Sequence, residues 1–395
     1  MTTVKSVRLN KKLKEELKNT TIKVAVLLII SLSPNYDDHI KTLVEETQKE
    51  KYHNTPVRLR IDAEQEQELL DIFNTSNLSL AIRCAVKLAL KLKDQLSVKK
   101  SDKAMRIMGQ KNGSLRDYIN NVLQDTVSVH QHLKSYVEPF MGSANLFLHN
   151  NLNLIATLND LNTYRVNTLR VIKDYPHELQ KELRKLAPNK QTLKQFFEDL
   201  QKTDTPNLRS KTNKIAYACK YYYVYNLSYY AKGQSLDKNI TTKKYRKRVN
   251  SIIRLSLKLQ DVEIKNTDGL YLLDKLAKSQ NSLIYLDPPY IYSEEHYDFK
   301  KKIFLHHVAL RNRILKLRSN NNICFISYRC TTPNSSKHTD DELINKLDSL
   351  YQNNDFYIAF KKVRNQQIEI LIGTVPFIES VPYDQSIAIL LNTNL

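Results

Sequence analysis

The stretch Ser282-Leu283-Ile284-Tyr285-Leu286-Asp287-Pro288-Pro289-Tyr290 constrains the fold of this chain more than any other. Its first five residues read as a buried strand. Proline fixes φ and has no N–H, so two in succession cannot continue a central strand. The Asp-Pro-Pro-Tyr turn therefore marks the C-terminal end of a strand, where open α/β sheets place their ligand crevices. Asp287 offers a carboxylate acceptor, Pro288 a fixed carbonyl and Tyr290 an aromatic face, with Pro289 holding the turn. Carboxylate and carbonyl can accept both N–H bonds of an exocyclic amino group on a flat base, leaving its lone pair free while the Tyr290 ring stacks on the base. The same four residues can also be no more than a proline-rich turn.

Glycine narrows the search. The chain has 6 in 395 residues, against a usual share of about 7%, so each is expected where the backbone needs φ > 0 or a close approach. Gly142 follows an apolar strand in Tyr136-Val137-Glu138-Pro139-Phe140-Met141-Gly142-Ser143-Ala144. Further on, the apolar run 154–158 leads into Asn159-Asp160-Leu161-Asn162. An acid about 20 residues past such a strand-turn-helix commonly binds ribose hydroxyls; the other reading is a strand end followed by a helix cap. A third loop, Ile107-Met108-Gly109-Gln110-Lys111-Asn112-Gly113, precedes an amphipathic helix. Lys111 there can pair with a carboxylate or a phosphate, or simply be solvated.

Charge points to a partner. With 61 Lys+Arg against 41 Asp+Glu the formal charge is +20, which suggests a polyanion, nucleic acid first. At 41% hydrophobic residues, a wholly disordered chain is excluded. Cys84, Cys219, Cys324 and Cys330 form no CxxC or zinc spacing, so no metal and no disulfide scaffold are expected, and a cytoplasmic location fits. No secretory signal opens the chain, and its longest apolar run, Ile22 to Leu32, is too short to span a bilayer. From Gly109 onward, short β-rich runs alternate with helical stretches, an α/β pattern. Between about 165 and 260 the strand signal fades. That insert carries Tyr217, Tyr221, Tyr222, Tyr223, Tyr225, Tyr229 and Tyr230, then Lys243, Lys244, Arg246, Lys247 and Arg248. Basic residues interleaved with rings favour phosphate contact and base stacking; a tyrosine-packed helical core with solvated lysines is the alternative.

Residues 1–98 read as an imperfect repeat. Val7-Arg8-Leu9 and Val57-Arg58-Leu59 each begin a strand, helix, polar break and second helix, with 33–54 as a polar linker. Thr21 and Ser79 are candidate caps of the second helices. The order resembles the ribbon-helix-helix DNA-binding family, whose paired strands enter the major groove. Strand alternation would turn Arg8, Arg58 and Arg60 toward that groove.

Taken in order, residues 104 to 375 resemble the DNA adenine methylase (Dam-like) class of N6-adenine DNA methyltransferases. The shared pattern is a Gly-Gly-Lys loop, Glu-Pro-Phe-x-Gly-x-Gly, Asp-x-Asn, an inserted recognition region and Asp-Pro-Pro-Tyr. Asn266-Thr267-Asp268, Tyr297, Phe299, His307, Leu310, Phe325-Ile326-Ser327-Tyr328 and Glu369-Ile370-Leu371-Ile372 match further positions. Gln110, Ile107 and Ala144 depart from it. The resemblance implies a Rossmann-like S-adenosylmethionine-dependent methyltransferase domain over 104–395 with a helical target-recognition insert. It implies catalysis by Asp287, Pro288, Pro289 and Tyr290 on a flipped adenine in double-stranded DNA. S-adenosyl-L-methionine would meet Ile107, Lys111, Glu138, Gly142, Asp160, Asp268 and Asp287. A cognate restriction endonuclease is a companion of such enzymes. Two other readings stay open: a methyltransferase acting on RNA or a protein amide, and a DNA-binding regulator with a decayed catalytic domain.

Overall fold

The computed structural model describes residues 2–9, 37–48, 55–91, 98–107, 110–202, 206–291, 306–331, 339–363 and 367–394. The chain divides into two compact units: Met1–Lys99 with Asn250–Gln260, and Lys100–Val249 with Asp261–Leu395.

In the first unit, β1 (Thr2–Leu9) and β2 (Thr55–Asp62) pair antiparallel within the one chain. The register sets Val7 opposite Val57, Ser6 opposite Arg58, Val4 opposite Arg60 and Arg8 opposite Pro56. Directly opposed residues share a face, so Arg8, Arg58 and Arg60 occupy positions on one face and Val7, Val57, Leu59 and Ile61 on the other. The side chains of these strands lie outside the described residues, as do Thr21 and the run Ile22 to Leu32. After β2 come helices Ala63–Ile72 and Leu78–Lys91. Buried Leu69 and Phe73, at the end of the first helix and just past it, and buried Ile82 and Val86 in the second stand four residues apart.

Two expectations are corrected here. The second helix is capped by Asn77, whose Oδ1 accepts from the Leu80 N–H at 3.1 Å. Ser79 lies inside the helix, where its Oγ accepts from Arg83. The stretch 33–54 holds a helix, Asp37–Gln48. Leu43 and Thr47 are buried one turn apart, a buried face that the flanking charges obscured. Asn250–Gln260 groups with this unit.

The second unit is built on an eight-stranded sheet. Its strands are β3 (Ser135–Glu138), β4 (Ile155–Asn159), β5 (Glu263–Lys265), β6 (Ser282–Leu286), β7 (Ile323–Thr331), β8 (Tyr357–Lys362), β9 (Gln367–Gly373) and β10 (Val381–Pro382). The order is β10-β8-β9-β7-β6-β3-β4-β5. β5, β4, β3, β6 and β7 run parallel, and β9, β8 and β10 join antiparallel. This is a Rossmann-like α/β sheet whose winding reverses between β3 and β6. All five residues of β6 are buried, as a central strand covered on both faces requires.

Between β4 and β5 the chain makes a helical layer: Thr163–Asp174, Pro176–Arg184, Lys190–Gln201, Lys211–Leu227 and Thr242–Asn250. Tyr222, Tyr223 and Tyr245 are fully buried in it, and their hydroxyls donate to the carbonyls of Arg248, Ala187 and Leu183 at 2.7–2.9 Å. Among the described residues no helix is long and apolar enough to cross a membrane, no cluster of three metal-ligating side chains occurs, and all four cysteines are buried.

Candidate active site

The ends of β3, β4 and β6 meet at the reversal of the sheet. Glu138 ends β3, Asp160 follows β4 and Asp287 follows β6. Asn159 ties the neighbouring loops together. Its Nδ2 donates to the carbonyls of Pro139 (2.9 Å) and Thr267 (3.0 Å), and its Oδ1 accepts from the Thr267 N–H (3.0 Å). Gly142 sits at φ +53, where a side chain would be strained, and its N–H donates to Asp160 Oδ2 at 3.0 Å. Asp268 caps helix Gly269–Leu276 by accepting from the Tyr271 N–H at 3.0 Å. A Cβ on Gly269 would come within 2.4 Å of the Phe140 ring, so Phe140 lies directly against that glycine.

One pocket opens at this point. Ile107, Lys111, Glu138, Gly142, Asp160, Asp268 and Asp287 all line it. Every residue nominated from sequence for the cofactor thus faces a common space, although the sequence scatters them over 180 positions. Of the Asp-Pro-Pro-Tyr turn, Asp287 and Pro289 line it, while Pro288 and Tyr290 are buried behind it. Gly109 lies outside the described residues, as do Tyr297 and Phe299.

Of the readings the sequence left open for Lys111, the structure takes the carboxylate pair. Its Nζ is buried, 2.8 Å from Asp287 Oδ1 and 2.7 Å from Glu369 Oε1, and it donates to the Tyr290 hydroxyl. Burial pulls this ammonium down, but Asp287 and Glu369 overcome it and raise Lys111 above the ordinary lysine range. Glu369 is itself held by Arg329 at 3.0 Å, its cross-strand partner on β7. The four charges balance, two of each sign, which is what makes them tolerable in a dry interior. Burial raises the Asp287 carboxyl, opposed by Lys111 and reinforced by Glu369. Its side chain stays 26% exposed, open to the pocket. Tyr290 is 8% exposed, with Lys111 Nζ 5.0 Å from its ring centre. Its ring is therefore packed away, and its hydroxyl serves the charge network instead of offering the free stacking face expected.

Sequence reasoning missed Glu369 and Arg329 as site residues. The signal was a single charge inside the apolar run Ile368-Glu369-Ile370-Leu371-Ile372, which a central strand tolerates only with a partner. It also missed Arg165, which meets Asp160 Oδ2 at 2.8 Å. Burial lowers that guanidinium, but Asp160 raises it overall. Glu138 is 3% exposed and accepts from the Tyr136 hydroxyl at 2.8 Å. Burial pushes its carboxyl up to about 8, against the Tyr136 hydrogen bond and with the added repulsion of Asp287.

The basic residues nominated for DNA divide. Lys243, Lys244 and Lys247 are exposed. Arg246 and Arg248 are half-buried and donate to the carbonyls of Arg184 and Asn226. Those carbonyls end helices Pro176–Arg184 and Lys211–Leu227, and helix C-termini need such donors. These two arginines hold the insert together.

Fold and site define a Rossmann-like α/β enzyme with an acidic pocket at its winding reversal. A family model described as D12 class N6 adenine-specific DNA methyltransferase matches residues 113–347, more than half of the chain. The chain belongs to this family and is a methyltransferase. Lys111 and Glu369 flank the matched span on either side. Among solved structures the chain is similar to the rRNA methyltransferase of Streptomyces viridochromogenes, at 12% identity over 71% of this chain and 92% of that one, TM-score 0.30. It is similar to a candidate methylase of Haemophilus influenzae, at 12% identity over 66% and 99%, TM-score 0.26. A candidate class I S-adenosylmethionine-dependent methyltransferase of Listeria monocytogenes matches at 11% identity over 95% and 91%, TM-score 0.27. No curated protein matches the chain.

Proposed function

We propose that the protein transfers a methyl group from S-adenosylmethionine to N6 of an adenine turned out of duplex DNA. The observation that carries this reading is Asp287. Its carboxylate follows a fully buried strand, faces the pocket and is fixed by Lys111. A carboxylate so held accepts from an amino group without reorganising.

The pocket suits the cofactor. Asp160, Asp268 and Asp287 favour a cationic, hydroxyl-bearing ligand, and Ile107, Phe140 and Leu161 supply apolar wall. Three lining residues carry buried polar atoms with no protein partner: Gln110 Nε2, Asn145 Oδ1 and Arg165 Nε. Such atoms are costly unless a ligand or water meets them. When bound, S-adenosylmethionine supplies the electrophilic methyl. Asp160 and Asp268 would hold its hydroxyls, and Glu138 and Gly142 would shape its pocket. Asp287 and the Pro288 carbonyl would orient N6, and the turn excludes water around the lone pair.

The target base has to leave the stack to reach a pocket of this kind. Exposed Lys243, Lys244 and Lys247 would meet phosphates. Arg8, Arg58 and Arg60, on one face of the β1–β2 ribbon, would form a second contact of major-groove dimensions. The cytoplasm is the compartment that such a substrate implies.

Long-read sequencing of host DNA with and without the expressed gene tests this. The expected result is N6-methyladenine at one short motif, absent with Asp287→Ala. Unmodified DNA, or full modification by Asp287→Ala, overturns it.

A further inference from the structure

Lys111 uses all of its N–H bonds inside the protein. Its Nζ meets Asp287 Oδ1 at 2.8 Å and Glu369 Oε1 at 2.7 Å, and it donates to the Tyr290 hydroxyl. An ammonium has three donors and no acceptor, so none remains for a ligand. Asp287 is held on one side only. Lys111 and the Tyr290 hydroxyl, the latter at 3.3 Å, both meet Oδ1, which leaves Oδ2 as the oxygen toward the pocket. Glu369 is held on both sides. Its Oε1 faces Lys111 and, at 3.4 Å, the Tyr290 hydroxyl, while its Oε2 accepts from Arg329 Nε at 3.0 Å. A file of fixed charges thus runs from Arg329 on β7 through Glu369 on β9 and Lys111 to the turn after β6. Its two far members line no part of the pocket.

Those far members act on Asp287 with opposite sign. Glu369 is a second anion near it and favours its neutral form; Arg329 is a second cation and favours its ionised form. Four other titratable groups face Asp287: Lys111 from the loop before the first helix of this unit, Tyr290 in the turn, Tyr285 on β6 and Glu138 at the end of β3. Tyr285 bonds Ser327 at 2.7 Å and Glu138 bonds Tyr136 at 2.8 Å. Neither of these two holds the Asp287 carboxylate in place.

We propose that Glu369 and Arg329 are positioning residues, which act through Lys111 to lock the Asp287 carboxylate as an anion with Oδ2 turned to the amino group of the target base. This rests on the function proposed above. Positive charge grows on N6 as it takes a methyl group, and an acceptor fixed beforehand meets that charge without reorganising.

The test uses the full chain with carbon-13 in its aspartate carboxyls, the Asp287 signal being the one missing from Asp287→Asn. Its titration midpoint should fall in E369Q, which removes the anion, and rise in R329M, which removes the cation. R329K keeps the charge and should stay closer to wild type than R329M does. On DNA carrying the motif mapped by sequencing, the acid limb of kcat should move in the same two directions. At its plateau kcat should fall about 10- to 100-fold in E369Q and R329M, as a misplaced reacting group costs, with KM for DNA little changed. Lost stability alone shifts neither midpoint. Should E369Q not fold, R329M decides by the sign of its shift. Midpoints that stay put or move the same way in both variants, or wild-type kcat in folded R329M, overturn the positioning role. A wild-type chain that marks no DNA overturns the function instead; the carboxyl titration needs no DNA, so the two failures are told apart.

Discussion

The buried quartet of Lys111, Asp287, Glu369 and Arg329 makes Glu369 more consequential than its distance in sequence from the Asp-Pro-Pro-Tyr turn suggests. Glu369→Gln leaves Arg329 without its carboxylate and Lys111 with Asp287 alone. Breaking a buried pair in this way costs roughly 3–5 kcal/mol. Denaturant melts should show that loss, and methyl transfer should fall with it. Exchanging Arg329 as well, in E369Q/R329M, should restore part of the stability because the stranded charge is gone. Glu138 gives a pH signature. Its carboxyl is raised from 4.5 to about 8 in the fold, so the neutral form is the one the fold favours. That contribution is full below pH 4.5 and is lost as pH rises through about 8. Glu138→Gln cannot ionise and should escape the decline. Its Tm relative to wild type should climb between pH 5 and pH 9, whereas parallel curves would show that Glu138 does not titrate in that range.

At the scale of elements, the strand ends carry the site, and their packing should be as sensitive as their charges. Gly269 begins a helix, where alanine is ordinarily better by about 1 kcal/mol. Here a Cβ meets the Phe140 ring at 2.4 Å. Gly269→Ala should therefore weaken S-adenosylmethionine binding by about tenfold or more in calorimetry while changing Tm little, because the displaced ring is pocket wall. Unaltered affinity would show that Phe140 does not touch the cofactor. The strand ends were legible in sequence because proline, glycine and acid punctuate them: Glu138, Gly142, Asp160 and Asp287 all reach one pocket. The direction of Lys111 and Tyr290 was not legible. Their partners Glu369 and Arg329 lie on β9 and β7, and only the register across the sheet brings them under the turn. The tyrosines of the insert were ambiguous for a similar reason. Helical spacing linked Tyr221 and Tyr225 with Tyr229, but the helix ends at Leu227, which leaves Tyr229 outside while the other two pack.

For the whole molecule, we propose a division of labour in which one unit carries the pocket and the other gives a tethered grip on DNA. The β1–β2 ribbon forms within one chain, so the grip needs no second copy. R8A/R58A/R60A in the full chain should bind duplex DNA more weakly at low salt. The slope of log affinity against log salt should shrink by up to about 2.7, or 0.9 for each lost phosphate contact. Turnover at saturating DNA should be unaffected, since every pocket residue belongs to the other unit. An unchanged slope would leave the ribbon without a role on DNA. The repeat that suggested the ribbon was visible in sequence, whereas helix Asp37–Gln48 was hidden by its charges. The central claim, that one pocket transfers methyl to the N6 amino group of DNA adenine, has a direct test. Purified protein, methyl-labelled S-adenosylmethionine and either duplex DNA or RNA are incubated, and the nucleosides are resolved by mass spectrometry. Label in N6-methyladenine from DNA, lost with Asp287→Ala, is the predicted result; label confined to RNA, to another base or to no nucleoside would contradict it.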